Sequence, residues 1–442
     1  MTVPAHAVPP RPSSDVSSAV GLVGALGLCG WILFCHFYPE VAPLLGLDPA
    51  RGRLTGPNAA LMGLVAAALP MVLWSVLVDK VHLRPSTGID WSLKRPLGDV
   101  VDISITKLAG LWATWALIGC LYALGRWYWN DFYAISMRVL GTVMVPVFFL
   151  SVPYVLWLDR VLVEPKDSSW HFGAMLVGRE AYDPDKVRIH LRAWAVKGFF
   201  TAFMIAIVPG GFADLVGRNW SEFLHDPVLL AGLLITMMFV FDEQIGTVGY
   251  ILTMKPLDAQ IRSANPYLAG WVAALMCYPP FQVMQGGGPL QYDINTRDWA
   301  FWFAGNAPLL WIWAALLVAL TGIYAWATVV FGIRFSNLTY RGVITVGPYA
   351  YTRHPAYLSK NAFWWLATLP FLVTSGSMAD AIRNTFFLGC VSAVYYWRAR
   401  TEEKHLLGED PKYRAYYHWM EQHGAITAPL HRLGQVLHRR RG

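Results

Sequence analysis

Two short stretches carry the side chains best equipped for chemistry. One is GPYAYTRHPAYLSKN (347–361), with Arg353, His354, Tyr357, Lys360 and Asn361; the other is YYWRARTEEKHLL (395–407), with Arg398, Arg400, Glu402, Glu403 and His405. The first offers cations and donors. The second adds adjacent carboxylates, which accept from an ammonium or from hydroxyl groups. Pro355 suits the first turn of a helix, where its missing N–H needs no partner. It also pushes His354 into extended backbone at the helix mouth. The free N–H groups and partial positive charge of a helix N-terminus favour a carboxylate or phosphate. A ligand bearing both an amine and a carboxylate fits between the two stretches. Taken singly, basic and tyrosine residues beside an apolar run are topology anchors. Anchoring does not account for two adjacent acids, Glu402 and Glu403, at an end that would otherwise be basic.

The stretches lie about 45 residues apart, separated by two apolar runs and a turn around SGSMAD (375–380). A helical hairpin brings the start of one run beside the end of the other. The whole chain is built from such runs. Of its 442 residues 55% are hydrophobic and only 14% charged, against about 25% charged in a soluble domain. Apolar blocks of about 20 residues cross a bilayer, and ten are expected: 17–37, 58–79, 104–125, 137–158, 194–216, 228–254, 268–285, 308–333, 358–376 and 380–397. The expected fold is an all-α, polytopic integral membrane protein. Five scattered cysteines form no CxxC pair or Cys/His cluster, so neither a disulfide nor a metal site is expected.

With both termini cytosolic, the inside segments hold 25 Lys and Arg and the outside loops six, as the positive-inside rule requires. The +7 charge then reads as topology and attraction to anionic lipid, with no nucleic-acid partner and no obligate protein partner. Residues 1–16 are expected to be a disordered lead-in, 17–300 a membrane bundle available for recognising a substrate, 301–425 the catalytic core, and 426–442 a basic cytosolic tail. The inside segments 80–103 and 159–193 read as surface connectors. Neither carries a phosphate loop or a GxGxxG after a strand.

The two polar stretches resemble the isoprenylcysteine carboxyl methyltransferase and phospholipid methyltransferase superfamily of membrane enzymes. That pattern, G-x-Y-x-x-x-R-H-P-x-Y, a hairpin, then R-x-R-x-E-E-x-x-L, stands here as Gly347, Tyr349, Arg353, His354, Pro355 and Tyr357, then Arg398, Arg400, Glu402, Glu403 and Leu406, with Tyr413 and Tyr416 beyond. The resemblance spans about residues 320–420. It implies S-adenosylmethionine as cofactor on the cytosolic side and a lipid-like acceptor entering from the bilayer. Carried over, Tyr349, Arg353, His354, Pro355, Tyr357, Leu358, Glu402 and Glu403 line the cofactor pocket. Arg398 and Arg400, with Glu403, serve the reacting end. Two features depart from the pattern. LLGEDPKY (406–413) follows the acidic pair where many relatives have Phe-Gly. Lys360-Asn361 stands where small or apolar residues are expected.

Asp242 and Glu243 fall inside the sixth run, and intramembrane carboxylates are expensive enough to suggest a substrate or proton site. The stretch 278–289, YPPFQVMQGGGP, reads as a flexible connector. Two other readings stand beside methyl transfer. Sterol-type double-bond reductases, which use NADPH, have similar length and an R-H-P-x-Y near the C-terminus, but a different tail. A transporter would use Asp242 and Glu243 and leave the C-terminal stretches without a role.

Overall fold

A computed structural model describes residues 10–439 except Arg179 and Gln285. Its α-helices of eight residues or more are α1 (Ser18–His36), α2 (Pro57–Leu73), α3 (Leu97–Leu124), α4 (Asp131–Asp159), α5 (Ser168–Val177), α6 (Pro184–Gly217), α7 (Pro227–Ile251), α8 (Leu268–Leu275), α9 (Ala307–Val329), α10 (Pro355–Thr368), α11 (Met378–Glu409), α12 (Pro411–His423) and α13 (Thr427–Arg439). Strand β1 (Ser263–Ala264) pairs antiparallel with β2 (Thr339–Tyr340). An Asp-Pro step opens α6, α7 and α12. Asp183, Asp226 and Asp410 each accept a first-turn N–H, and the proline fills N1.

Among the described residues, seven helices are long and apolar enough to cross a membrane: α1, α2 with its continuation to Val78, α3, α4, α6, α7 and α9. The three remaining runs of the expected ten take other forms. Helix α8 has eight residues, about 12 Å, and gives way to irregular chain. That chain still travels from β1 to the opposite end of the bundle, where Ile294 O accepts from Asn384 at 2.7 Å and Asn295 O from Thr374 N at 2.8 Å. Irregular backbone at membrane depth must be covered by protein. Here Cys277, Tyr278, Met284, Leu290 and Tyr292 pack on Leu388, Val391 and Tyr395 of α11 and on Trp364 and Trp365 of α10. Within the stretch expected to be a flexible connector, Tyr278 and Met284 are packed in this way, while Pro280, Phe281, Gly286, Gly287 and Pro289 are exposed. Helix α10 stops at Thr368, where Leu369 turns left-handed (φ 47°) ahead of Pro370. Its 14 residues reach about 21 Å, short of a bilayer. Helix α11 runs 32 residues, about 48 Å, so its polar C-terminal third extends beyond any apolar layer.

The segments expected inside converge at one end. Asp258 receives Arg334 at 2.5 Å and Arg262 at 3.2 Å, with Arg84 at 3.8 Å. Asp167 meets Lys255 at 3.1 Å and Lys107 at 3.3 Å. Buried Arg341 donates to the carbonyls of Gly249 and Phe335 (2.7 and 2.9 Å), Leu252 and Ile333 (both 2.9 Å) and Ala259 (2.8 Å). This pins the 332–346 segment to the end of α7. Gly249 allows that approach, because a Cβ there would stand 2.4 Å from Phe335 O. Of the expected disordered lead-in, residues 1–9 lie outside the described residues. From Arg11 on, the segment is held, with Pro12 O accepting from Thr345 (2.8 Å), Asp15 N bonding Val343 O (2.8 Å) and Lys412 pairing with Asp15 (2.5 Å).

Candidate functional site

The hairpin of α10 and α11 joins the two polar stretches. Glu403, 3% exposed, accepts from Arg353 Nε at 2.7 Å and lies 3.0 Å from His354 Nε2 through Oε1. Its Oε2 accepts from Arg400 at 2.7 Å. Burial pushes the Glu403 carboxyl up. The His354 hydrogen bond and the charges of His354, Arg353 and Arg400 outweigh it and hold the group below the ordinary carboxylate range. Its neighbour on the helix, Glu402, accepts from the Tyr357 hydroxyl and, at 3.4 Å, from Arg398 Nε. Arg398 is buried among the rings of Tyr357 (5.1 Å), Tyr278 (5.6 Å) and Tyr395 (6.0 Å), and donates to Asn337 Oδ1 at 2.5 Å. His354 stacks on Tyr357 at 5.7 Å, nearly parallel.

Above these groups lies a cavity with about 1250 Å³ of atom-free space, its open mouth included. Tyr349, Arg353, His354, Tyr357, Arg398 and Glu402 all line it. Pro355 is buried at the first turn of α10 and Leu358 is 44% exposed; neither lines the cavity. Glu403 and Arg400 stand outside the wall too. Glu403 acts on it by holding Arg353 and His354, while the Arg400 side chain is half exposed. Arg353 Nη1 is buried and has no partner among the described residues. The other face of its guanidinium covers the Tyr417 ring at 3.9 Å.

Asp242 and Glu243 do not line the cavity and diverge around α7. Asp242 accepts from Tyr324 OH at 2.8 Å and from Thr328 on α9, and both hydroxyl residues do line the cavity. Glu243 instead faces α6 at Gly211, where a Cβ would lie 3.0 Å from its Oε2.

Several wall residues carry no signal in the two motifs: Tyr278, Asn337, Tyr324 and Thr328. Asn337 joins Arg398 to Tyr278 OH (3.1 Å), and its N–H donates to Tyr250 OH at 2.8 Å. Lys360, which also lines the cavity, is one that the sequence flags, as a charge near the start of an apolar run. His405 also lines the cavity, its Nε2 2.9 Å from Ser263 Oγ. Burial, with the Arg192 charge adding to it, lowers His405 to about 4, so the ring is neutral at pH 7.

Long apolar helices, with a cavity lined by charged and aromatic side chains at one end of them, define an all-α integral membrane protein. Residues 310–408, from α9 to the end of α11, match the model of the isoprenylcysteine carboxyl methyltransferase (ICMT) family. The match thus spans the C-terminal helices, and the Glu403 clamp and Arg398 lie within it. No curated protein matches the chain, and no solved structure does.

Proposed function

We propose that the protein is an S-adenosylmethionine-dependent membrane methyltransferase whose acceptor is lipid-like and enters the cavity from the bilayer. The observation that carries this reading is the Glu403 clamp. Within the segment that matches the ICMT-family model, one buried carboxylate holds Arg353 and His354 of one stretch at the cavity wall and pairs behind it with Arg400 of the other.

The residues present fit the cofactor's charges. The unpartnered, buried Arg353 Nη1 suits its carboxylate. Glu402 lines the cavity as an acceptor for an ammonium or for ribose hydroxyls. The bound cofactor would supply an electrophilic methyl group. The protein then has to position the acceptor and exclude water, which is where most of the acceleration of a displacement arises. Arg398, rigid within its three-ring cage, orients the reacting end. Neutral His405 offers a base to an acceptor with a proton to lose. The excess of Lys and Arg on the segments that converge around the cavity supports reading this end, and both termini, as cytosolic.

Thermal shift of the detergent-purified protein tests the reading. S-adenosylhomocysteine at 100 times its dissociation constant should add about 2.7 kcal/mol of stability, with no effect from NADPH. Stabilisation by NADPH alone would mean a reductase.

A further inference from the structure

We propose that α13 docks on the membrane itself, lying along the surface of an anionic leaflet at the cavity end with its apolar stripe in the lipid. Ile426, just ahead of the helix, and Leu430 and Leu433 within it are all exposed. Their spacing of four and then three residues puts them on one face. The opposite face meets the protein. Ala428 is buried there, and His431 Nδ1 lies 3.3 Å from Glu421 Oε1 of α12. A surface helix of a water-soluble domain turns its apolar stripe inward and its polar face outward. Helix α13 does the reverse, so its outer side calls for an apolar medium.

The helix also starts at the right level. Gly347 packs against Val330, the residue that ends α9, where an added Cβ would stand 2.7 Å from the Val330 side chain. Helix α9 is one of the seven long enough to cross a membrane. Just beyond, Tyr351 O accepts from Ile426 N–H at 3.1 Å. The Tyr351 ring is exposed, as suits an aromatic side chain at a membrane boundary. The start of α13 is thus tied to the level at which α9 leaves its apolar layer. Charge then selects the surface. Residues 427–442 include Arg432, Arg439, Arg440 and Arg441 and no Asp or Glu. A basic amphipathic helix lies in the interface plane, and anionic head groups strengthen its hold. A second copy of the chain would bring the same arginines to the contact, and like charges would oppose it. Helix α13 follows directly on α12, whose Tyr413 and Tyr416 line the cavity. Docking therefore holds that part of the wall at the membrane surface.

Photo-crosslinking of the full-length protein tests the docking without cofactor. The protein is reconstituted in vesicles of phosphatidylcholine alone, or of phosphatidylcholine with phosphatidylglycerol. A benzophenone amino acid replaces Leu433 in one variant and Leu430 in a second, both on the apolar stripe. In a third it replaces Gln435, exposed but about 200° round the helix from Leu433. Adducts are identified by mass spectrometry. The two stripe positions should give phospholipid adducts, at least about fivefold above Gln435 and about fivefold above their own yield in the neutral vesicles, the effect of a single surface arginine. Replacing Arg432, Arg439, Arg440 and Arg441 together by Gln should abolish the anionic gain, and so should high salt. Adducts with a second copy of the chain in place of lipid overturn the proposal. So do equal lipid yields at Leu433 and Gln435, or equal yields in the two kinds of vesicle. An anionic gain that survives loss of the four arginines overturns it as well.

Discussion

Glu403 has the most demanding position of any single residue at the site, because two guanidinium groups and the His354 ring converge on one buried carboxylate. Glu403→Gln keeps the shape and removes the charge. The Arg353 and His354 side chains then lose the group that aims them at the cavity. S-adenosylhomocysteine affinity should fall about 10- to 100-fold, the equivalent of one charged hydrogen bond, with the protein still eluting as a folded species in detergent. Unchanged affinity would remove Glu403 from the site. His405 gives a separate signal in pH. Its folded value, about 4, lies below the 6.5 of the free side chain. The unfolded chain therefore binds the proton first, and the His405 contribution to stability is complete above about pH 6.5 and is lost as pH falls towards 4. The Glu403 contribution, also from a lowered value, is present above the ordinary carboxylate range and fades only as pH falls through the lowered one. Melting temperatures at pH 7.5 and 5 should therefore differ less in His405→Asn than in the unaltered protein.

At the scale of elements, the site depends on how closely the 332–346 segment lies against α7. Gly249 makes this contact possible, and Gly249→Ala would drive a methyl group into Phe335 O. Relieving that clash should cost about 1–3 kcal/mol, read as a lower melting temperature. Cofactor affinity should fall with it, since Asn337 of this segment accepts from Arg398 in the cavity wall. The elements were legible to different degrees. The long apolar runs and Pro355 announced helices, and the turn at SGSMAD announced the hairpin. The runs 268–285 and 358–376 misled, because apolar composition reports that a segment avoids water and not that it is helical throughout. The Pro279-Pro280 pair and the glycines that follow, and Leu369-Pro370, interrupt the helices. Packing on α11 shields the backbone this leaves unpaired.

At the scale of the molecule, the first 300 residues and the ICMT-family segment share one end rather than lying side by side. Arg341 takes carbonyl partners from Gly249, Leu252 and Ala259, Arg334 takes Asp258, His405 takes Ser263, and Tyr278 forms part of the cavity wall. A fragment of residues 301–442 would leave buried guanidinium groups without these acceptors, at several kcal/mol each. It should neither elute as a monodisperse species nor bind S-adenosylhomocysteine. A fragment that does bind would show the N-terminal bundle to be dispensable for the cavity.

The sequence by itself determined the membrane class, the hairpin and the pairing of RHPAY with RARTEE. These follow from local composition, from proline and cap chemistry, and from the short separation of the two stretches. Only the tertiary structure decided which of those residues face the cavity and which brace it. It put Glu402 in the wall and Glu403 behind it, left Arg400 outside, tied Asp242 to two hydroxyls and left Lys360 over two rings. The physical reason is that neighbours on a helix point about 100° apart. The direction each one meets depends on helices far away in the chain, whose placement no local pattern encodes.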